Sequence, residues 1–277
     1  MKTLVTHMSP DLDAIASSWL IVRYLPDWES PDHAFVPAGK TLNNAPPDED
    51  DDIIHVDTGM GKFDHHQFKE RLSATKRVFD YLAEEGHVKE KDLEAIERMV
   101  MFITEIDNFG EVHFPDPTDI RYTFSLHEFL YPLRGLLSSD QELVSMTFLM
   151  LDGILFTVKN NIQAEEDVKA GMIFKTKMGK TLVMETKNES AMKFALKSGF
   201  ELVARRDPNN GTIRIKTQPN EKYDLTKLHE KIMKVDGKAS WFLHASGNML
   251  LNGSSKAPDV VPSSLSLKEL VAILKEI

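Results

Sequence analysis

Residues 2–13 read KTLVTHMSPDLD. Lys2–Thr6 is a short apolar strand candidate, and His7 to Asp13 is the polar loop it runs into. Asp11–Leu25 then has the apolar spacing of a helix, with Ile15, Leu20, Val22 and Leu25 as candidate core positions and Pro26 as its stop. Ala34–Pro37 is a second strand candidate. Residues 46–52, PPDEDDD, form a charged loop read as solvated surface. Ile53–Val56 is a β-branched strand ending at Asp57, with Thr58-Gly59 opening a loop. Helical periodicity follows in Ser73–Glu85, Lys91–Asp107, Ser125–Leu136 and Gln141–Val168. A strand–helix start followed by a long helical stretch places the N-terminal part in the α/β class, with a parallel sheet and flanking helices.

The pattern changes near Gly171. Met172–Lys177 and Lys180–Lys187 alternate like strands about Met178-Gly179, and Glu189–Ser198 is helical with Gly199 just past its end. Phe200–Arg206 and Thr212–Thr217 flank Asn209-Asn210-Gly211, a hairpin signal. Asp224–Val235 is helical, Ser240–His244 is strand-like and Ser266–Ile277 is a last helix. The expected organisation is therefore two domains, 1–165 and a smaller α/β domain 172–277, with the boundary between Asn160 and Gly171.

Composition narrows the chemistry. The 277 residues are 42% hydrophobic and 27% charged, as in folded globular chains. The longest mainly apolar run, Met146–Val158, is interrupted by Asp152 and is shorter than the roughly 20 residues a bilayer span needs. The N-terminus meets acidic residues before any apolar core, so no signal peptide is expected. There is no cysteine, which excludes disulfides, thiolate nucleophiles, zinc–thiolate sites and iron–sulfur clusters; a cytoplasmic address is expected. The net charge of −10 conceals an asymmetry: residues 1–171 carry 15 Lys and Arg against 32 Asp and Glu, while the remainder is net basic. An acidic half with most of the histidines suits cations, and a basic half suits an anionic ligand.

The chemistry-bearing groups lie at the ends of apolar segments. They are His7, Asp11 and Asp13 after the first strand, Asp57 after the third strand candidate, Asp64-His65-His66 seven residues on, and Asp107 at the end of the Lys91–Asp107 helix. Ligands of open α/β sheets bind outside the carboxyl ends of strands, so these groups can converge. Each has an ordinary reading: Asp11 and Asp13 as helix-opening acids, Asp57 as a turn residue, Asp107 as a helix end. The adjacent imidazoles after a carboxylate are harder to explain by chance. Carboxylates with imidazoles and no thiolate suit Mn²⁺, Mg²⁺ or Co²⁺. Packing them together without cations brings strong repulsion between like charges.

His7-x-x-x-Asp11-x-Asp13, then Asp57, then Asp64-His65-His66, then Asp107, resembles the DHH phosphoesterase superfamily, which includes RecJ nucleases, oligoribonucleases, exopolyphosphatases and family II pyrophosphatases. FDHHQF (63–68), SATKRVFDYL (73–82), TEIDN (104–108) and FLHASG (242–247) are most similar to its Myg-type exonuclease branch. The resemblance implies two divalent ions, Mn²⁺ foremost. His7, Asp11 and Asp57 would hold one; Asp13, Asp57, His65 and Asp107 would hold the other, with Asp57 bridging. His66 would face the phosphate, Asp64 would orient a histidine, and a hydroxide held on the metals would be the nucleophile.

The resemblance also implies a smaller C-terminal domain that grips substrate. Many members carry Gly-Gly-Gly-His there; this chain has His244-Ala245-Ser246-Gly247-Asn248 and Asn252-Gly253-Ser254-Ser255-Lys256 instead. Small residues let backbone N–H groups approach an anion, and Arg205, Arg206 and Lys256 can add charge-assisted contacts; the plain reading is turns and a solvated face. Candidate substrate-binding residues are thus His244, Ser246, Gly247, Arg205, Arg206 and Lys256. The expected activity is hydrolysis of phosphodiester bonds in nucleotides or short single-stranded oligonucleotides. The alternatives are a pyrophosphatase or exopolyphosphatase, and a non-catalytic nucleotide sensor. No sequence-specific DNA binding and no membrane partner are expected, and a homodimer is compatible with the sequence.

Overall fold

The computed structural model describes residues 1–253 and 259–277 and divides into two compact units, 1–158 and 159–277. The first holds a three-stranded parallel sheet in the order β2-β1-β3, with β1 (Thr3–His7) between β2 (Asp32–Val36) and β3 (Ile53–His55). Thr3 of β1 pairs with both Asp32 and Ile53, so the three strands begin side by side and run in the same direction. β2 begins earlier than its apolar residues suggest, because the polar Asp32 and His33 still pair with β1 at this edge of the sheet.

Helix α1 (Leu12–Tyr24) is buried along most of its length, including Ile15, Trp19, Leu20 and Ile21. Burying each such side chain contributes roughly 1.5–3 kcal/mol. The helix stops at Leu25, whose extended backbone is what the following Pro26 demands. α2 (Ala74–Glu84) is capped by the Ser73 side chain and buries Ala74, Val78, Phe79 and Leu82. α3 (Glu90–Asp107) and α4 (Leu126–Leu133) complete this layer, and short 3₁₀ turns at Gly110–His113 and Ile120–Phe124 fill the stretch between them.

α5 (Asp140–Ala170) is a single 31-residue helix, so residues 160–170, where the sequence suggests a boundary, are helical. By length and composition α5 is long enough and apolar enough to cross a membrane, since the full helix extends well beyond the apolar run Met146–Val158. In unit 1 it buries Leu143, Val144 and Leu151, and its Asp152 accepts hydrogen bonds from Trp19 and Arg23.

The second unit is a six-stranded mixed sheet in the order β4-β5-β6-β7-β9-β8. The strands are β4 (Met172–Thr176), β5 (Gly179–Glu185), β6 (Leu202–Arg206), β7 (Ile213–Thr217), β8 (Trp241–Leu243) and β9 (Met249–Asn252). Among the described residues, only β5 and β6 run parallel, joined through α6 (Ser190–Lys197). α7 (Thr226–Asp236) and α8 (Leu267–Lys275) pack Leu228, Ile232, Leu270 and Leu274 into its core. β9 is absent from the sequence reading, since four residues between two turns are too few for a period to register.

Asp236 fastens the end of α7. Its buried carboxylate accepts from Trp241 Nε1 at 2.9 Å, Ser263 Oγ at 2.7 Å and Ser264 Oγ at 2.8 Å. Removing one side of a buried charge-assisted network leaves its donors unsatisfied. Asp236→Ala is expected to lower stability by about 2–3 kcal/mol, read as a fall in the urea midpoint.

Candidate metal centre

The site is built where the parallel strands end. His7 is the last residue of β1, and Asp57 lies two residues beyond β3. The loop from Met8 to Asp11 is held from outside: Ser9 N–H donates to Asp140 at 2.9 Å, and Arg134 donates to the Pro10 carbonyl at 2.8 Å. Asp11 caps α1 by accepting from Ala14 N–H at 3.1 Å. Its ordinary capping role therefore holds together with its place in the cluster.

Asp13, in the first turn of α1, is 2% exposed and reaches across to another helix. Its two oxygens accept from the N–H groups of Ala74 (2.7 Å) and Thr75 (2.9 Å), which open α2. These are donors with no intrahelical partner. Neither this link nor the loop contacts of Arg134 and Asp140 has a signal in the sequence, since each joins residues more than 60 positions apart.

Asp57 is 3% exposed and adopts φ +54°, a left-handed conformation that aspartate tolerates better than most residues. The loop that follows is tight. Gly59 has φ +83°, and a Cβ there would lie 2.8 Å from Thr41 Cγ2. Asp64 organises the far end: one oxygen accepts from Met60 N–H at 2.7 Å, and the other accepts from His66 N–H at 3.1 Å and lies 2.7 Å from His66 Nδ1. Asp107 ends α3, and the following Asn108 side chain ties this end down by donating to the Leu72 and Thr104 carbonyls.

These elements bring His7, Asp11, Asp13, Asp57, His65 and Asp107 together. His7 Nδ1 lies 2.9 Å from the Met8 carbonyl, which directs Nε2 to Asp57 Oδ2 at 3.3 Å. His65 Nε2 faces Asp57 Oδ1 at 3.3 Å, Asp107 Oδ2 at 3.6 Å and Asp13 Oδ2 at 3.7 Å. Asp57 Oδ1, His65 Nε2 and Asp107 Oδ2 are buried with no aligned hydrogen-bond partner. Three groups of potential ligand atoms, each within 4.8 Å, overlap: His7, Asp11 and Asp57; Asp57, His65 and His66; Asp13, His65 and Asp107. Buried orphan oxygens and a ring nitrogen aimed at one another are a donor set that fits a hard or borderline cation.

Protons answer the same electrostatics. Burial opposes a charge on His7, but Asp57 and the Met8 carbonyl push its pKa up to about 9. Asp57 also pushes His65 up to about 9, against the burial of that ring. Burial pushes Asp107 up to about 6, with His65 opposing. Burial and the charges of Asp57 and Asp107 raise Asp13 well above the carboxylate range. Asp57 is instead held below it, because His65 and His7 outweigh its own burial.

The residues singled out in unit 2 are placed differently. His244, Ser246 and Gly247 form the turn of the β8–β9 hairpin, where His244 Nδ1 lies 2.9 Å from Ser246 Oγ. The Asn248 amide fastens this turn to the Asn220 and Tyr223 carbonyls. Arg205 is 1% exposed and donates to Asp207 at 3.0 Å, so its guanidinium serves the interior of the unit and is not offered to a ligand. Arg206 pairs with Glu185 at 2.7 Å. Lys256 lies outside the described residues.

No family profile matches the sequence, and no curated protein does. Among solved structures the chain is similar to an uncharacterized protein from Helicobacter pylori G27 (13% identity, 100% of this chain and 98% of that one, TM-score 0.29). It is also similar to exonuclease RecJ bound to manganese (12%, 99% and 89%, TM-score 0.31). A third is a DHH domain from a member of the s1p family of ribosomal proteins (13%, 99% and 86%, TM-score 0.32). At these TM-scores no argument about function rests on the likenesses.

The shared role of Asp57 has a direct spectroscopic consequence. In chelator-treated protein, Asp57→Asn removes the charge that holds protons on both rings. Titration of the imidazole NMR signals should show His7 and His65 falling from about 9 towards the ordinary value of 6.5, and unchanged values would place the proton-holding charge elsewhere.

Proposed function

We propose that the chain is a metal-dependent phosphoesterase of the DHH superfamily that hydrolyses phosphodiester bonds in nucleotides or short single-stranded nucleic acid. The observation that carries the reading is the convergence of buried, unpartnered Asp57, His65 and Asp107 atoms with His7, Asp11 and Asp13 at the strand ends. His7, Asp11 and Asp57 would hold one divalent ion; Asp13, Asp57, His65 and Asp107 would hold a second, with manganese the leading candidate. Two such ions, when bound, polarise a phosphoryl oxygen and lower the pKa of a coordinated water.

The protein's own contribution is positioning. Asp57 brings negative charge to both positions at once. Asp64 fixes the His66 ring through Nδ1, leaving Nε2 as its remaining hydrogen-bonding atom on a side chain that is 54% exposed. This presents an oriented imidazole to a phosphate or to the departing alkoxide. Asp64 is thus a positioning residue in this scheme. In unit 2, His244 and Ser246 stand on an exposed turn suited to an anion. A pyrophosphate site calls for several cations free to meet a dense charge, whereas Arg205, Arg206 and Arg214 are paired with Asp207, Glu185 and Glu189; this favours the ester reading.

The test is turnover by purified protein with Mn²⁺ on a labelled short RNA, a dinucleotide, pyrophosphate and polyphosphate. Release of mononucleotides is expected. Fast pyrophosphate release without oligonucleotide cleavage would replace the reading with a pyrophosphatase, and binding of nucleotide without turnover would replace it with a sensor. Asp57→Asn should abolish activity and weaken Mn²⁺ binding together, whereas His66→Ala should retain Mn²⁺ affinity and lose about 100-fold in kcat. Because His7 and His65 hold protons up to about pH 9 and must lose them to ligate, Mn²⁺ affinity should rise from pH 6 towards pH 9, with proton release measurable by calorimetry in buffers of different ionisation enthalpy.

A further inference from the structure

Beside the acidic cluster, unit 1 has a 260 Å³ pocket that Asp11, Asp13 and Asp107 share as one wall. Ile103 and Ile106 add apolar surface, and Phe109, His127, Glu128 and Tyr131 complete the lining. Phe109 is 74% exposed and Tyr131 76% exposed, so neither ring is in the pocket wall as part of the core. Phe109 also has φ +56°, a costly conformation for a bulky residue that turns up at functional sites. His127 is nine-tenths buried; its Nε2 faces Glu128 at 4.0 Å, and its Nδ1 is buried without a hydrogen-bond partner.

We propose that this pocket is a nucleobase subsite, holding the heteroaromatic base of the nucleotide whose phosphate lies at the acidic cluster. The inference rests on the phosphoesterase reading above and adds what that reading leaves open: the group recognised next to the reacting phosphate. Exposed aromatic rings stack on a base of any identity because every base has a π-face. The Glu128 carboxylate, whose side chain is half exposed on the pocket lining, is a polar group available to a base edge. The shared Asp11, Asp13 and Asp107 wall makes the pocket continuous with the cluster, so the two parts of one small ligand can occupy both. The leading source of affinity for a base is stacking on Phe109 and Tyr131, with the edge contacts secondary.

The experiment compares ligands with and without a base. Equilibrium binding of AMP and of ribose 5-phosphate is measured in Mn²⁺ for the wild type, the Phe109→Ala/Tyr131→Ala double variant and Phe109→Trp. Dinucleotide turnover is measured alongside, with each base in turn replaced by an abasic residue. The wild type should prefer AMP by about tenfold or more, the double variant should lose that preference, and Phe109→Trp should keep it. In turnover, the double variant should lose the KM advantage of the base-bearing substrate over one abasic counterpart. Circular dichroism and Mn²⁺ affinity identify a variant that has failed to fold, in which case Phe109→Ala alone supplies the comparison. Equal binding of AMP and ribose 5-phosphate by the wild type, or an undiminished AMP preference in the folded double variant, overturns the subsite. A retained AMP preference without any dinucleotide hydrolysis would overturn the phosphoesterase reading and leave the subsite standing.

Discussion

Asp57 meets His7 and His65 with Asp11, Asp13 and Asp107 close by, and that concentration of charge sets the terms for the rest of unit 1. At these separations, in a mostly buried setting, the carboxylates repel one another strongly. The structure shows how the repulsion is met by protons: Asp13 and Asp107 are pushed towards the neutral form, while His7 and His65 are pushed towards the charged one. A divalent cation replaces those protons with a fixed positive charge and lets every carboxylate ionise. Protonation and ligation of such a cation would then compete for the same lone pairs.

The scaffold has to hold these groups near one another against that repulsion. It does so with contacts that are remote in sequence: α2 opens on Asp13, Arg134 and Asp140 grip the loop after β1, and Asn108 ties the end of α3 to Leu72. The parallel register of β1 with β2 and β3 supplies the common starting line. At the strand ends Asp11 is exposed and His7 and Asp107 keep partial exposure beside the buried Asp57, whereas the same groups within the sheet would be sealed among Leu4, Val5 and Val56.

The α/β class was legible because the strand–loop–helix start and the alternating segments after Gly171 each follow a local period. The polar blocks at His7–Asp13, Asp57, Asp64–His66 and Asp107 were legible as candidates because the residue types are unusual at the ends of apolar segments. Other features are set by tertiary contacts. Nothing near Asp13 announces that it will accept from Ala74 and Thr75, and nothing near Arg205 announces that it will be enclosed with Asp207. The stretch 108–125 carries no regular period, and its 3₁₀ turns set Phe109 and Phe124 outwards where a sequence scan could not place an exposed ring. Strand β9 is too brief between neighbouring turns for any period to show.

Asp13 belongs both to the architecture and to the charged cluster. One carboxylate secures the beginning of a helix and also faces His65 in the charged cluster. Any drift at this position would therefore be felt as looseness of the frame and as an altered charge balance in the cluster in the same event. Selection cannot tune the two separately there, and an engineer wanting a silent, well-folded version of the protein should leave Asp13 alone and work at Asp57.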